Sequence, residues 1–326
     1  MPVTNPAAGD IHVKQPLTNF SQKWMQDTND YVSLRAFPNN PVAKESDLYY
    51  EFSKADFFRD QARERADGTE SAGGSFRTAT NPYMCRTYAI HKDITDRQRT
   101  NADSQIQLER SASQFVAQQL MIRRERKFAD TFMTGSAWTT NNTSATWGAD
   151  NSEPIDEIDA AKSSVKLLTG MMPNKAIIAR DLFNRLKNHP DVLSRIDGGA
   201  TTSVPALVMR QKLAELLELD QLLVMDAVYN SKAEVAGDMN DATMAYMAAG
   251  DMLLYYAPNA PSLDTPTAGQ QFSWTGLLGN TPEGMRTKRF RMEHLESDRI
   301  EGQMAFDYKV TAADLGYYFT DAIAAS

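Results

Sequence analysis

The chain has 326 residues, with 34 basic side chains against 42 acidic ones, a net charge of −8 and a pI near 5.1. It is long enough to bury a sizeable core, and its acid excess argues against a nucleic-acid surface, which needs clustered positive charge. The single cysteine, Cys85, excludes an intramolecular disulfide and a multi-cysteine metal site and fits a reducing compartment.

Residues 1–45 hold five prolines, few charges and isolated apolar anchors, Phe20, Trp24, Tyr31 and Phe37. That is too little for a core and enough to dock an extended arm on another surface. The segment has no basic start followed by an apolar run, so it does not read as a secretory signal. No apolar stretch approaches the roughly 18 residues that span a bilayer. The expectation is a soluble protein that acts where it is made, with Asn19, Asn141 and Asn142 as chance glycosylation matches.

From Ser46 to Arg99 the strand-like runs DLYYEF and YMCRTYAI flank a polar excursion whose tip holds Asp67, Gly68, Gly73 and Gly74. Seven basic and seven acidic residues balance between Ser46 and Lys92, with Arg59, Asp60, Arg63, Glu64 and Arg65 interleaved. The pattern predicts a long two-stranded hairpin. Such a ribbon is marginal alone in water, so it needs neighbours, and mixed charge would set registry between chains. Cys85, in a strand-like run beside Met84 and Arg86, reads as a packed thiol, since a nucleophile would need a histidine partner.

The stretch from Asn101 to Gly135 contains no internal Gly or Pro and predicts one uninterrupted helix of roughly 50 Å. Thr100 and Asp103 would cap its start and Gly135 would end it. Leu108, Ala112, Phe115, Val116, Leu120, Ile122, Phe128, Ala129, Phe132 and Met133 form the buried stripe, with Arg110, Gln114, Gln118 and Arg124 off it. The stripe is not a strict heptad, which favours a helix lying across a sheet over a coiled coil. The cluster Arg123, Arg124, Glu125, Arg126, Lys127 reads either as a solvated patch near a helix C-terminus or as a contact with acidic side chains of a neighbouring subunit.

A polar loop follows, then a helix from Glu153 or Pro154 to Thr169 stopped by Gly170. Strand KAIIA, a helix from Asp181 to Ile196 interrupted at Pro190, a helix from Pro205 to Leu217, strand QLLVMDAVY, a strand from Met244 to Ala248 and strand MLLYYA come next. From Phe272 the chain reads as sheet. The four histidines, His12, His91, His189 and His294, show no metal-ligand spacing. There is no phosphate loop, nucleophile elbow or dinucleotide fingerprint. Asp307 with Asp314, or Glu293 with Glu296, could pair as glycosidase carboxylates, a weak alternative in a chain with 42 acids.

Three runs carry a resemblance: YMCRTYAIHKDITDRQRTNAD leading into the long helix, the strand-to-helix step NKAIIARDLFNRLKN, and the ending RIEGQMAFDYKVTAADLGYYFTDA. With the order of arm, hairpin, helix, α/β region and closing sheet, they resemble the major capsid proteins of tailed bacteriophages, the Hong Kong 97 fold. The resemblance implies an α+β fold with an N-arm (1–45), an E-loop (46–99), a P-domain (100–173, spine helix 101–135), an α/β A-domain (174–279) and P-domain return strands (280–326). It implies a structural subunit, not an enzyme, without cofactor or metal, which forms hexamers and pentamers of an icosahedral head around double-stranded DNA. Subunit contacts are expected at Trp24, Phe37, Arg59, Asp60, Arg63, Glu64, Arg65, Arg123 and Arg126. The expected partners are further copies of itself, a separate scaffolding protein, the portal and, as an optional addition, a cement protein, without sequence-specific DNA binding or a membrane. The expected location is the virion, assembled in the bacterial cytoplasm. Lys54 lies near the hairpin base instead of its tip, so the expected shell is non-covalent. An encapsulin-type nanocompartment is the alternative on the same fold, and a soluble hydrolase the remote one.

Overall fold

The computed structural model describes residues 25–102, 107–142, 146–196, 210–232, 242–260, 265–278 and 285–323. The chain enters through an arm that ends in strand β1 (Asn39–Val42). Strand β2 (Ser46–Phe52), a single helical turn α1 (Lys54–Phe57) and strand β3 (Thr78–Met84) follow. Strand β4 (Arg86–Thr95) runs into the short helix α2 (Asp96–Asn101) and then the long helix α3 (Leu108–Phe132). The middle of the chain contains β5 (Thr140–Asn142), α4 (Pro154–Thr169), β6 (Lys175–Ala179), α5 (Arg180–Leu186), α6 (Pro190–Ile196), α7 (Arg210–Leu216) and β7 (Gln221–Met225). After β8 (Val228–Asn230), β9 (Met244–Tyr246) and β10 (Met252–Tyr255) come β11 (Gly269–Trp274), α8 (Thr275–Leu278), β12 (Met285–Met292), β13 (Ser297–Val310) and β14 (Gly316–Phe319).

Strand β13, 14 residues long, organises the first sheet. It pairs antiparallel with β4 on one side and with β12 and then β11 on the other, and β1 adds parallel to β11. The second sheet runs β5-β14-β10-β6-β7. Its interior strand β6, KAIIA, is buried at every position, as a strand covered on both faces must be. The two sheets do not divide at residue 279: β11 belongs to the first and β14 to the second.

Helix α3 lies on the first sheet along a ridge of buried residues four apart: Ala112, Val116, Leu120, Arg124, Phe128 and Phe132. Contact is close because Gly302 sits beneath it. A Cβ there would lie 2.4 Å from Val116 and 2.7 Å from Leu120, nearer than any real side chain sits. The arm closes over the far end of the helix. The Phe37 ring lies 4.4 Å from that of Phe132 and 4.7 Å from that of Tyr255, and Tyr255 donates to the Ala36 carbonyl. Removing such a ring from a core costs about 3–5 kcal/mol.

Five expectations change. The helix is not continuous from Asn101: α2 ends there, and Ala102 is extended at φ −76°, ψ 135°. The capping box belongs to Thr95 and Gln98 of α2, while Asp103 lies outside the described residues. The helix from Leu108 is about 37 Å long at 1.5 Å per residue. The hairpin partner of β2 is the TATNPYM segment, because Cys85 interrupts the YMCRTYAI run and the chain beyond it pairs with β13 instead. Phe115 is exposed and Arg124 is fully buried, the reverse of the expected stripe, because position in the four-residue ridge decides burial here and polarity does not. Phe37, expected at a subunit contact, is a core residue of its own chain, since its ring fills the gap between α3 and β10.

Other elements follow their local signals. Helix α4 starts with Pro154 in its first turn and ends at Gly170 in the left-handed conformation, φ 74°. Pro190 separates α5 from α6. The helix expected from Pro205 is described from Arg210 to Leu216.

Candidate functional site

The extended surface of this chain is the β2–β3 ribbon. Its seven residue pairs run from Ser46 opposite Met84 to Phe52 opposite Thr78. The base is held by aromatic stacking: Tyr83 lies on Phe272 of β11 at 4.6 Å with rings 9° apart, and Tyr49 on the same ring at 5.8 Å. Cys85 packs in this cluster, where burial pushes its thiol pKa up to about 12, with Asp307 and Glu45 adding to the shift. Asp307 accepts a hydrogen bond from the Met84 N–H at 3.0 Å. Further out, Asp56 takes a bidentate bond from Arg77, 2.8 and 3.1 Å, and that guanidinium holds its carboxyl well below the usual range. The Lys54 ammonium pairs with Asp314 across 260 residues of sequence.

Beyond the base the ribbon exposes apolar surface. Phe52, Phe57 and Phe76 contact one another at 5.3–6.1 Å, yet Phe57 is 61% and Phe76 57% exposed. Phe58 rests against Gly170 at the end of α4, beside exposed Leu167 and Met172. Apolar rings gathered and left open mark a surface that a partner covers.

The expected charged contacts divide. Arg59, Asp60, Arg63, Glu64 and Arg65 are all exposed on this loop. Arg59 is 3.8 Å from Asp56, and Arg65 donates to the Thr69 carbonyl. Trp24 lies outside the described residues. On α3, Arg123 sits over the Tyr88 ring at 5.0 Å and Arg126 over that of Tyr229 at 4.9 Å, both remaining exposed. The cluster is therefore not simply a solvated patch.

Two buried members of that cluster went unrecognised as structural. Arg124 donates through Nε to the Tyr308 hydroxyl at 3.2 Å and covers the Phe306 ring at 5.5 Å. The Glu125 carboxylate accepts the N–H groups of Val32 and Ser33, each at 2.9 Å. Burial raises the Glu125 pKa, opposed by those two donors and by Arg124. The available signal was Arg124's place in the series 112, 116, 120, 124, 128, 132, which its charge obscured.

A second polar cluster fixes the joint between β4, α2 and α3. Asp298 of β13 accepts from Arg99 and from Arg289, at 2.5 and 3.2 Å, and Arg289 also reaches Glu109 of α3 at 2.8 Å. Arg291 grips Asp96 at 2.6 and 2.7 Å, and Arg299 grips Asp93 at 2.7 and 2.8 Å. These arginines hold the Asp93, Asp96 and Asp298 carboxyls below the usual range. Single exposed pairs contribute little, but this set joins five elements, β4, α2, α3, β12 and β13, and fixes the angle at which β4 enters the helices.

The histidine most suggestive of chemistry is His189, fully buried with Nε2 3.0 Å from the Ser152 hydroxyl. Its Nδ1 accepts the Asp191 N–H at 3.2 Å. A catalytic histidine would donate from Nδ1 to a carboxylate and take the serine proton at Nε2. Here the roles are reversed, so the pair ties Ala149 and Ser152 to α6. Asp307 and Asp314 bond separately to Met84 and Lys54 and do not form a facing pair. Among the described residues no group of three His, Cys, Asp or Glu side chains could hold a metal, and no helix is long and apolar enough to cross a membrane.

A phage-related protein from Bordetella bronchiseptica RB50 superposes with a TM-score of 0.68 at 17% identity, over 92% of this chain and 95% of that one. The capsid structure of cyanophage P-SCSP1u superposes at 0.63 and 10% identity, over 97% and 94%. The chain has the Hong Kong 97-like phage capsid fold. By sequence, the major capsid protein of Burkholderia phage BcepMu is 25% identical over 210 residues, 61% of this chain. The match spans 65% of that relative's length, a little under two thirds. No family model matches.

Proposed function

We propose that this protein is the major capsid subunit of a phage, assembling as hexamers and pentamers into an icosahedral head that encloses double-stranded DNA. The observation that carries the reading is the ribbon: an element with little core of its own, tied to the body at Tyr83 and Lys54, whose rings Phe52, Phe57 and Phe76 stay open. A monomeric protein has no use for such a surface, and a closed shell of identical copies covers it. The extended capsid fold and the sequence relative support the same reading. The net charge of −8 suits a container that must not grip packed DNA.

In this reading the subunit is structural, not catalytic. The segments 1–45, 46–99, 100–173, 174–279 and 280–326 act as N-arm, E-loop, P-domain, A-domain and return strands, with β11 and β14 exchanged between the two sheets. Arg59, Asp60, Arg63, Glu64 and Arg65 meet a neighbouring subunit, as do the faces of Arg123 and Arg126 left open by their tyrosines. A scaffolding protein, the portal and, in some shells, a cement protein are the further partners, and the virion is the destination after assembly in the bacterial cytoplasm. The shell is non-covalent, since the Lys54 ammonium is occupied by Asp314 of its own chain. The nanocompartment reading shares the fold and has less support, because the sequence relative is a phage protein.

Negative-stain microscopy and sedimentation of the protein expressed in bacteria test the proposal. Closed shells or capsomer rings are expected. A persistent monomer at high concentration, with or without a scaffolding protein, would overturn it.

A further inference from the structure

A cleft of about 400 Å³ opens where the arm crosses the second sheet, lined by Arg35, Phe37, Asn39, Lys175 and Asn259 among others. Lys175 is the first residue of β6, set between Tyr255 and Gln221 in the sheet register. It is only 5% exposed. Among the described residues its ammonium makes no hydrogen bond or ion pair. The nearby carboxylate of Asp220 is engaged by Asn174 at 3.1 Å. Burial lowers the Lys175 pKa, and the attraction of Asp220 offsets only part of that. A lysine this deep, with no partner for its ammonium among the described residues, is stabilised by a carboxylate that reaches the cleft.

The same chain offers such carboxylates. Asp60, Glu64, Asp67 and Glu70 lie exposed on the ribbon loop without an ion-pair partner among the described residues. Arg59 and Arg65 of that loop are already directed to Asp56 and Thr69. We propose that the cleft at the base of the arm receives a carboxylate from the 60–70 loop of a second copy, which pairs with the Lys175 ammonium. The inference rests on the shell reading and adds to it the specific cleft, the cation and the class of group it takes. A carboxylate seated there would touch the arm and the second sheet together, so loop docking in one subunit would fix the arm of the next.

The test uses particles assembled from a mixture of unlabelled and ¹⁵N-labelled full-length protein, treated with a water-soluble carbodiimide. The reagent activates a carboxylate. The neutral Lys175 amine then attacks the activated carbonyl, forming an amide and releasing the reagent as a urea that has taken up the elements of water. A cross-linked peptide joining Lys175 to the 60–70 segment, with one light and one heavy half, is the expected product. Particles that form normally but give only same-isotope products, or no Lys175 cross-link, would overturn the proposal while leaving the shell reading intact. Wild-type protein that never assembles would overturn both.

Lys175→Met supplies an independent measurement. Removing an unpaired buried charge should raise the melting temperature of the dissociated subunit, while the concentration needed for assembly rises about tenfold. A variant that assembles as readily as wild type sinks the proposal, and so does one whose subunit and shell both weaken, since that marks Lys175 as a structural residue of its own chain.

Discussion

The carboxylate of Glu125, two turns before the end of the long helix, accepts the backbone N–H of Val32 at 2.9 Å and that of Ser33 at the same distance. A side chain on α3 thus satisfies main-chain donors of the arm, 92 and 93 residues away in sequence. The arm's placement is then a property of the helix as much as of its own residues.

Replacing Glu125 by Ala leaves both donors buried without an acceptor, which costs roughly 1–3 kcal/mol each and so about 2–6 kcal/mol together. Glu125→Gln keeps one acceptor and should lose about half as much. The expected signature is local as well as global: the exposed Arg35 becomes a rapid tryptic site in the Ala variant. Equal cleavage rates in wild type and variant would show that the phenylalanine contacts alone hold the arm.

The Asp298 cluster predicts the acid limb of stability. The folded-state pKa values of Asp93, Asp96 and Asp298 lie below their unfolded values. Their contribution is therefore complete above about pH 4 and is lost as pH falls through the folded values. Asp298→Asn should lower the melting temperature at pH 7 and flatten its decline between pH 4 and 2. Parallel melting curves over that range would assign the acid limb to other groups.

Close contact at Gly302 gives a steric prediction. Gly302→Ala places a methyl group within 2.4 Å of Val116 and 2.7 Å of Leu120 and should destabilise by about 1–3 kcal/mol through overpacking. Val116→Ala in the same chain removes the nearer clash. Denaturant titration of the double variant should recover part of the loss, and additive losses would place the strain elsewhere.

Cys85 should be chemically silent in the folded protein. Its thiol is fully buried with a pKa pushed up to about 12, so almost no thiolate is present at neutral pH. A thiol-reactive chromophore should report no reaction until denaturant is added. Fast native-state reaction would show that the Tyr83–Phe272 cluster opens.

The exposed rings separate assembly from folding. Phe57→Ser with Phe76→Ser should leave the subunit's melting temperature nearly unchanged, because both residues are more than half exposed. Particle yield in sedimentation should fall sharply. Charge reversal at Arg123 and Arg126 tests the helix in the same way, and shells that form normally would confine those residues to their contacts with Tyr88 and Tyr229.

Local chemistry made several elements legible from sequence alone. Gly170 stops α4 because glycine accepts the left-handed turn, Pro190 parts α5 from α6, and the run KAIIA could only be a strand buried on both faces. The extended arm and ribbon were readable because neither holds enough apolar residues for a core of its own. Tertiary structure decided what no local pattern carries. It placed Arg124 and Glu125 inside, since the helix ridge and the arm's donors supply partners that lie 92 to 184 residues away. It turned the chain at Cys85, because β13 offers the long strand beyond that point a better edge than the ribbon does, and it exchanged β11 and β14 between sheets. Periodicity specifies which face of an element is buried, and only packing specifies against what.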